Sequence, residues 1–318
     1  MRFTIRHSDV VRLMFILSLA VCFVLQTGCG PEDYQKPIQQ FQDASTVVVN
    51  TNREFLKNEN TVEQNNVLDD LVFQRKPLNL PEIEKIELIS QQEIKIRSDA
   101  LDALAQYTSN LAQLAQGKAG TAVGDATKKL SDSLKTLADD AKKLPVTKMT
   151  VLDNAKFSGI VSAAASAVGA VALLIAEHKA RRELEQSIQD NDVAVTALIQ
   201  QISIDATGSY LRQKSQLGAY GDQLSRDYET AVRRNSDPIL LLDFAKRIKS
   251  YRTQESQLSD ANPAPAIDKM RKAHESLVSY VKSDKNPKAF AELVTAVKDF
   301  AAAVQPLGQA VQALISAS

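Results

Sequence analysis

Tryptophan is absent from the 318-residue chain, and aromatic residues of all kinds make up only 5% of it. Glycine occurs 11 times and proline 10 times. A sandwich or barrel needs turn residues roughly every 8–12 positions, with aromatic and β-branched side chains between them. This composition excludes such folds and points to long helices. Histidine is as scarce, at His7, His178 and His274. A zinc site on a helix needs histidines at a spacing such as i and i+4, with further ligands close by. His178 and His274 have neither, so no metal site and no cofactor is expected, and His274 reads as a core-edge residue. Net charge is lacking too: 38 basic residues balance 38 acidic ones. That leaves no electrostatic footprint for nucleic acid.

Cysteine occurs twice, at Cys22 and Cys29, and its placement is informative. Arg2, Arg6 and Arg12 form a positive leader, and Leu13 to Leu25 is an uncharged, largely apolar run. That run fits the hydrophobic stretch of a secretory signal and is short for a membrane span. Gln26-Thr27-Gly28-Cys29 follows it. The segment resembles a bacterial lipoprotein signal, in which the peptide is removed and the new N-terminal cysteine is acylated. The family pattern prefers leucine three residues before the cysteine, where this chain has Gln26. The resemblance implies a signal peptide at 1–28, lipidation at Cys29 and a place in a bacterial cell envelope. By the same resemblance, Gly30 in place of an aspartate implies the outer membrane of a two-membrane bacterium, facing the periplasm or the surface. An ordinary secretory signal and an uncleaved anchor are the alternatives. A chain beginning at Cys29 has no second thiol to pair with, which a lipid carrier explains. It also loses three Arg and one Asp, leaving 35 bases against 37 acids, a net charge of −2.

Beyond a tether at 29–36, the spacing of apolar residues predicts one helical domain over 37–318. Ile38, Phe41, Val48, Phe55 and Val62 recur at multiples of three and four from Pro37 onward, with a possible break among the Asn and Gln residues of 58–66. Glu82 to Gln116 reads as a second helix, and 123–144 as a shorter third. From Asp153 to Thr207 nothing strong interrupts the pattern, which predicts a helix of 55 residues, about 80 Å long. Gly208, Gly218 and Gly221 weaken the stretch that follows. Asp237-Pro238 opens a helix through about Ser259, and Ile267 to Val281 forms another. Asn286-Pro287 opens the last, whose stripe runs from Phe290 to Leu314 with Pro306 inside it. The fold class expected is all-α: an elongated antiparallel helical bundle with one very long central helix.

No residues announce chemistry. Serines lack a nucleophile elbow, no glycine-rich loop follows a strand, and carboxylates such as Asp139, Asp190 and Asp192 sit among basic partners as on solvated helix faces. The chain is therefore read as a non-enzyme with no catalytic residue. One stretch stands out. Phe157 to Ala176 is 20 residues without a charge, of which seven are Ala, three Ser and two Gly. Small residues at intervals of four let helix backbones approach closely, in water or lipid. It reads as a central packed helix, or as a segment that inserts into a bilayer. The expected function is that of a membrane-anchored, non-catalytic scaffold or protein-binding module whose partner is an envelope protein. The alternative is a membrane-active bundle that inserts 157–176, as pore-forming proteins do.

Overall fold

A computed structural model describes residues 32–116, 159, 162, 182–283 and 286–317. Among these residues lie seven helices and no strand: α1 (Glu32–Phe73), α2 (Leu80–Ile83), α3 (Gln91–Ala115), α4 (Arg182–Arg233), α5 (Pro238–Asp260), α6 (Ala264–Lys282) and α7 (Pro287–Ala317). The fold is all-α. Cys29, the signal segment, the expected helix at 123–144, His178, and 157–176 apart from Gly159 and Ser162 lie outside the described residues.

Side-chain pairs between helices fix their directions. Glu59 meets Arg212 and Glu63 meets Gln216, so α1 and α4 run parallel. Asn60 reaches Ile89 while Gln39 reaches Gln116, so α3 returns antiparallel to α1. Arg252 pairs with Asp222 and Lys282 with Asp192, which lays α5 and then α6 end to end against α4, both antiparallel to it. Lys269 pairs with Asp299 and Phe41 stacks near Phe300, so α7 runs against α6 and along α1. α5 and α6 thus run in one direction as a broken pair, while α4 and α5, and α6 and α7, are antiparallel neighbours.

The long central helix is α4, with 52 residues and a length of about 78 Å. Its expected span ended at Thr207, but the helix continues through Gly208, Gly218 and Gly221 to Arg233. Each interior glycine costs about 1 kcal/mol against alanine. Burial of Leu217, Tyr220 and Leu224 against neighbouring helices offsets that cost. One apolar core joins α1, α3, α4, α6, α7 and the end of α5 at Leu258, centred on residues such as Phe41, Leu104, Tyr107, Leu198, Met270 and Phe300. Past it the described residues narrow to α1, α4 and α5. Their own small cluster is Tyr220, Leu224, Ala231 and Phe244, with Phe73 edge-on to Phe244 at 5.8 Å.

Three helix boundaries differ from expectation. α1 begins at Glu32, not Pro37, and carries Pro37 as an interior residue. The tether read over 29–36 is shortened accordingly, and Pro37, the sixth residue of α1, removes one intrahelical amide donor. α1 also runs unbroken through 58–66, because its polar residues there bind neighbouring elements. Asn60 Oδ1 accepts from the Leu88 and Ile89 amides while its Nδ2 donates to the Ile89 carbonyl. Gln64 donates to the Glu84 and Ile86 carbonyls. Those bonds hold 84–90 out of helical geometry, so the helix expected over 82–116 starts only at Gln91. Ser90 caps it, accepting from the Glu93 amide while Glu93 accepts from the Ser90 amide, a reciprocal capping box. The last helix keeps its stripe: Leu293, Val297, Phe300, Val304, Leu307 and Val311 are buried, and α7 is continuous through Pro306. At Gly308 it lies so close to α1 that an added Cβ would stand 3.2 Å from Val47 Cγ1.

Candidate functional site

The chemistry-bearing side chains of the described residues gather between α1, α3 and α4. Asn52, Glu59 and Asn66 continue the three-and-four spacing of Val48, Phe55 and Phe73, so polar groups occupy core positions of the α1 seam. Glu59 is 0% exposed. Arg212 Nη2 donates to Glu59 Oε1 at 3.0 Å and Oε2 at 3.2 Å, and also to Ser209 Oγ at 3.0 Å. Burial pushes the Glu59 carboxyl above its ordinary range even with Arg212 beside it. One turn away, buried Arg97 of α3 donates from Nε to Asp205 Oδ1 at 2.8 Å. Gln213 Nε2 donates to the Phe55 carbonyl at 2.6 Å, spending an amide on the α1 backbone. A cavity of about 10 Å³, lined by Asn52, Arg97, Asp205 and Ser209 among others, sits inside this cluster. It has room for about one water molecule.

A second polar group lies deeper in the body. His274 is 0% exposed, not at the core edge as expected. Neither ring nitrogen has a partner at hydrogen-bond distance; Nε2 faces Asp192 Oδ1 at 3.6 Å, an electrostatic contact and not a hydrogen bond. The ring packs edge-on against Tyr107 at 6.0 Å, and the buried Tyr107 hydroxyl also lacks a partner. Asp192, read as solvated, is partly buried here. The His274 imidazole, with Lys282 at 3.4 Å, holds its carboxyl down to about 2.

The third place is a groove of about 400 Å³ between α1, α4 and α5, walled by Glu63, Asp69, Asp70 and Asp227 and floored by Phe73, Tyr220 and Phe244. Arg247 of α5 contacts Asp69 and donates to the Tyr220 hydroxyl at 3.3 Å. Burial and the nearby Asp243 push Asp69 up to about 6, and burial also raises Asp227. Tyr251, beside Tyr220 at 4.5 Å, is pushed up to about 12 by burial and by Asp69.

The geometry uses these groups mainly on one another. Glu59 gives both oxygens to Arg212, and Arg97 and Asp205 are joined across helices 108 residues apart in sequence. Such pairs set register between helices, since sliding α1 past α4 by one turn would leave Glu59 buried without its cation. The sequence reading missed all four residues. The signal was present: a charged or amide residue falling on an apolar stripe. Among the described residues, no three His, Cys, Asp or Glu side chains converge as a metal site, and no helix is long and apolar enough to cross a membrane.

No protein-family model matches this chain, and no curated protein or solved structure is significantly similar to it.

Proposed function

We propose that this protein is a lipid-anchored, non-catalytic scaffold of a bacterial cell envelope, held by an acylated Cys29 and working through its helical surface on a protein partner. The observation that supports this most is the course of α1. It begins at Glu32, three residues after Cys29, and runs 42 residues without a break. A lipid on Cys29 would therefore sit at one end of a rod whose other end lies about 60 Å away. Buried ion pairs that lock α1 and α3 each to α4 keep such a rod straight and its surface fixed, which suits spacing or holding and needs no reacting group. Several acyl chains, at about 0.8 kcal/mol per buried methylene, make the attachment stable.

The test is fractionation of cells carrying the wild-type chain or Cys29→Ala. The wild type should sediment with membranes and show an acylated Cys29 by mass spectrometry. Cys29→Ala should leave the membrane or persist as an unprocessed precursor. A mature N-terminus elsewhere would remove the anchor from the reading. Photo-crosslinkers placed along exposed positions of α1 and α7 should capture an envelope protein in discrete adducts. Adducts to lipid alone would refute the protein-scaffold role.

A further inference from the structure

We infer that the end of the molecule farthest from Glu32 is a docking surface for an anionic lipid bilayer. The inference deepens the anchored-scaffold reading, and rests on it for the tether at the opposite end. Two turns meet at this end, one after α1 and one between α4 and α5, since Phe73 at the close of α1 packs on Phe244 near the start of α5. Ten large apolar side chains are conspicuously exposed among the described residues. Seven belong to this end: Val72, Leu78 and Leu80 around the first turn, and Val232, Ile239, Leu240 and Leu242 around the second. Ile239 is 77% exposed. Single exposed leucines are ordinary; their gathering at one apex is not.

The two turns are built alike and are rigid. Arg75 and Asn235 each take φ 54°, the left-handed conformation that closes a helix end. Lys76 then donates its amide to the Leu71 carbonyl at 2.9 Å, and Ser236 donates to the Ala231 carbonyl at 3.0 Å. The apolar side chains are therefore held outward by hydrogen-bonded backbone, on turns that cannot fold back over them. The same turns carry Arg75, Lys76, Arg233 and Arg234, all exposed. Over residues 74–80 and 232–242 these four cations face one acid, Asp237, a net of +3 in a chain whose total is zero. Asp237 is already occupied as the α5 cap, accepting from the Ile239 amide at 2.7 Å. Glu229 pairs with the exposed Arg233 at 3.8 Å, and Glu82 and Asp243 border Leu80 and Leu242, so the positive charge is concentrated on the turns themselves, at Arg75, Lys76 and Arg234.

Charge complementarity selects the occupant. A protein interface gathers its apolar groups at the centre and leaves charge to the rim. Here Arg233 and Arg234 directly follow Val232, and Arg75 and Lys76 fall between Val72 and Leu78. A headgroup layer accommodates that mixture, taking apolar tips into its acyl boundary while its phosphates meet the cations. A molecule tethered by lipid at one end and docking lipid at the other would join two bilayers.

The chain's lack of tryptophan supplies the test. Full-length Ile239→Trp protein is reconstituted into phosphatidylcholine vesicles, and protein-free vesicles of phosphatidylglycerol carrying brominated acyl chains are then added. The expected result is a blue shift and quenching of the single tryptophan, with none when the added vesicles are phosphatidylcholine. Adding Arg233→Gln and Arg234→Gln should weaken partitioning about thirty-fold, at about 1 kcal/mol for each cation. No shift, or an equal shift with both lipids, overturns the inference. A shift that follows protein concentration without added vesicles assigns the surface to a second copy, and one produced only by envelope protein assigns it to a protein; each refutes lipid docking. The reporter lies at the opposite end of α1 from Glu32, so the two readings fail separately. An unacylated chain that still gives the shift removes the anchor alone, and an acylated chain without it removes the docking alone.

Discussion

Glu59 shows how a residue that sequence patterns pass over can organise a fold. It is wholly buried, and its charge is tolerated because Arg212 and Ser209 converge on it. Arg212→Met should destabilise the protein by about 3–5 kcal/mol, because Glu59 is left buried and uncompensated. Glu59→Leu combined with Arg212→Met should recover most of that loss, since the apolar pair has no desolvation to offset. Denaturant unfolding of the two variants checks both statements, and a double variant as unstable as the single one would contradict them. Asp192 offers a second residue-scale case with the sign set by its environment. His274 and Lys282 hold its folded-state value near 2, below the ordinary 3.8. Its contribution is therefore fully present above about pH 4 and is lost as pH falls toward 2. Between pH 4 and 2 the wild type should lose about 1 kcal/mol more stability than Asp192→Asn, the figure being reduced for partial exposure. Parallel losses in the two proteins, followed by thermal unfolding at each pH, would remove the pairing from the account.

At the scale of elements, the legible part was the apolar spacing and the illegible part was the use made of polar residues. The stripes of α6 and α7 follow from periodicity of three and four, which any buried helix face must show, and the cap at Asp237 from its place before Pro238; the end of α4 does not, since the helix runs past the expected Thr207 to Arg233. The stretch 58–66 followed no such rule, because Asn60 and Gln64 are spent on the backbone of 84–90, a segment some twenty to thirty residues away. A local pattern carries no trace of that partner. The start of α3 turns on the same contacts. Ser90→Ala should cost about 1 kcal/mol by removing the cap. Asn60→Ala should cost about 2–3 kcal/mol, because it orphans two amides and a carbonyl together. Hydrogen exchange separates the two effects: Asn60→Ala should speed the Leu88 and Ile89 amides, whereas Ser90→Ala should speed Glu93 first. Equal protection of Leu88 in both variants would contradict this division of labour.

For the whole molecule, the uneven distribution of core predicts uneven stability. Among the described residues, the body buries dozens of apolar side chains across six helices, whereas the narrow end has a cluster of four, Tyr220, Leu224, Ala231 and Phe244. Free energy of local opening follows buried apolar contact, so the end of α4 and the start of α5 should open without the body unfolding. Native-state hydrogen exchange should give amides near Leu224–Ala231 and Leu241–Phe244 opening energies well below those of Leu198–Ile202 and Met270–Leu277. Phe244→Ala, which removes both a core ring and the partner of Phe73, should lower the first group by about 3 kcal/mol or down to full exchange, and leave the second within a few tenths. A single opening energy across both groups would mean that α4 transmits stability along its whole length. That outcome would require the ion pairs of Glu59 and Arg97 to couple the two parts more strongly than packing does. The expected outcome leaves the apolar, cationic apex on the least stable part of the rod, its two turns still closed by their own backbone hydrogen bonds while the body near Glu32 stays folded.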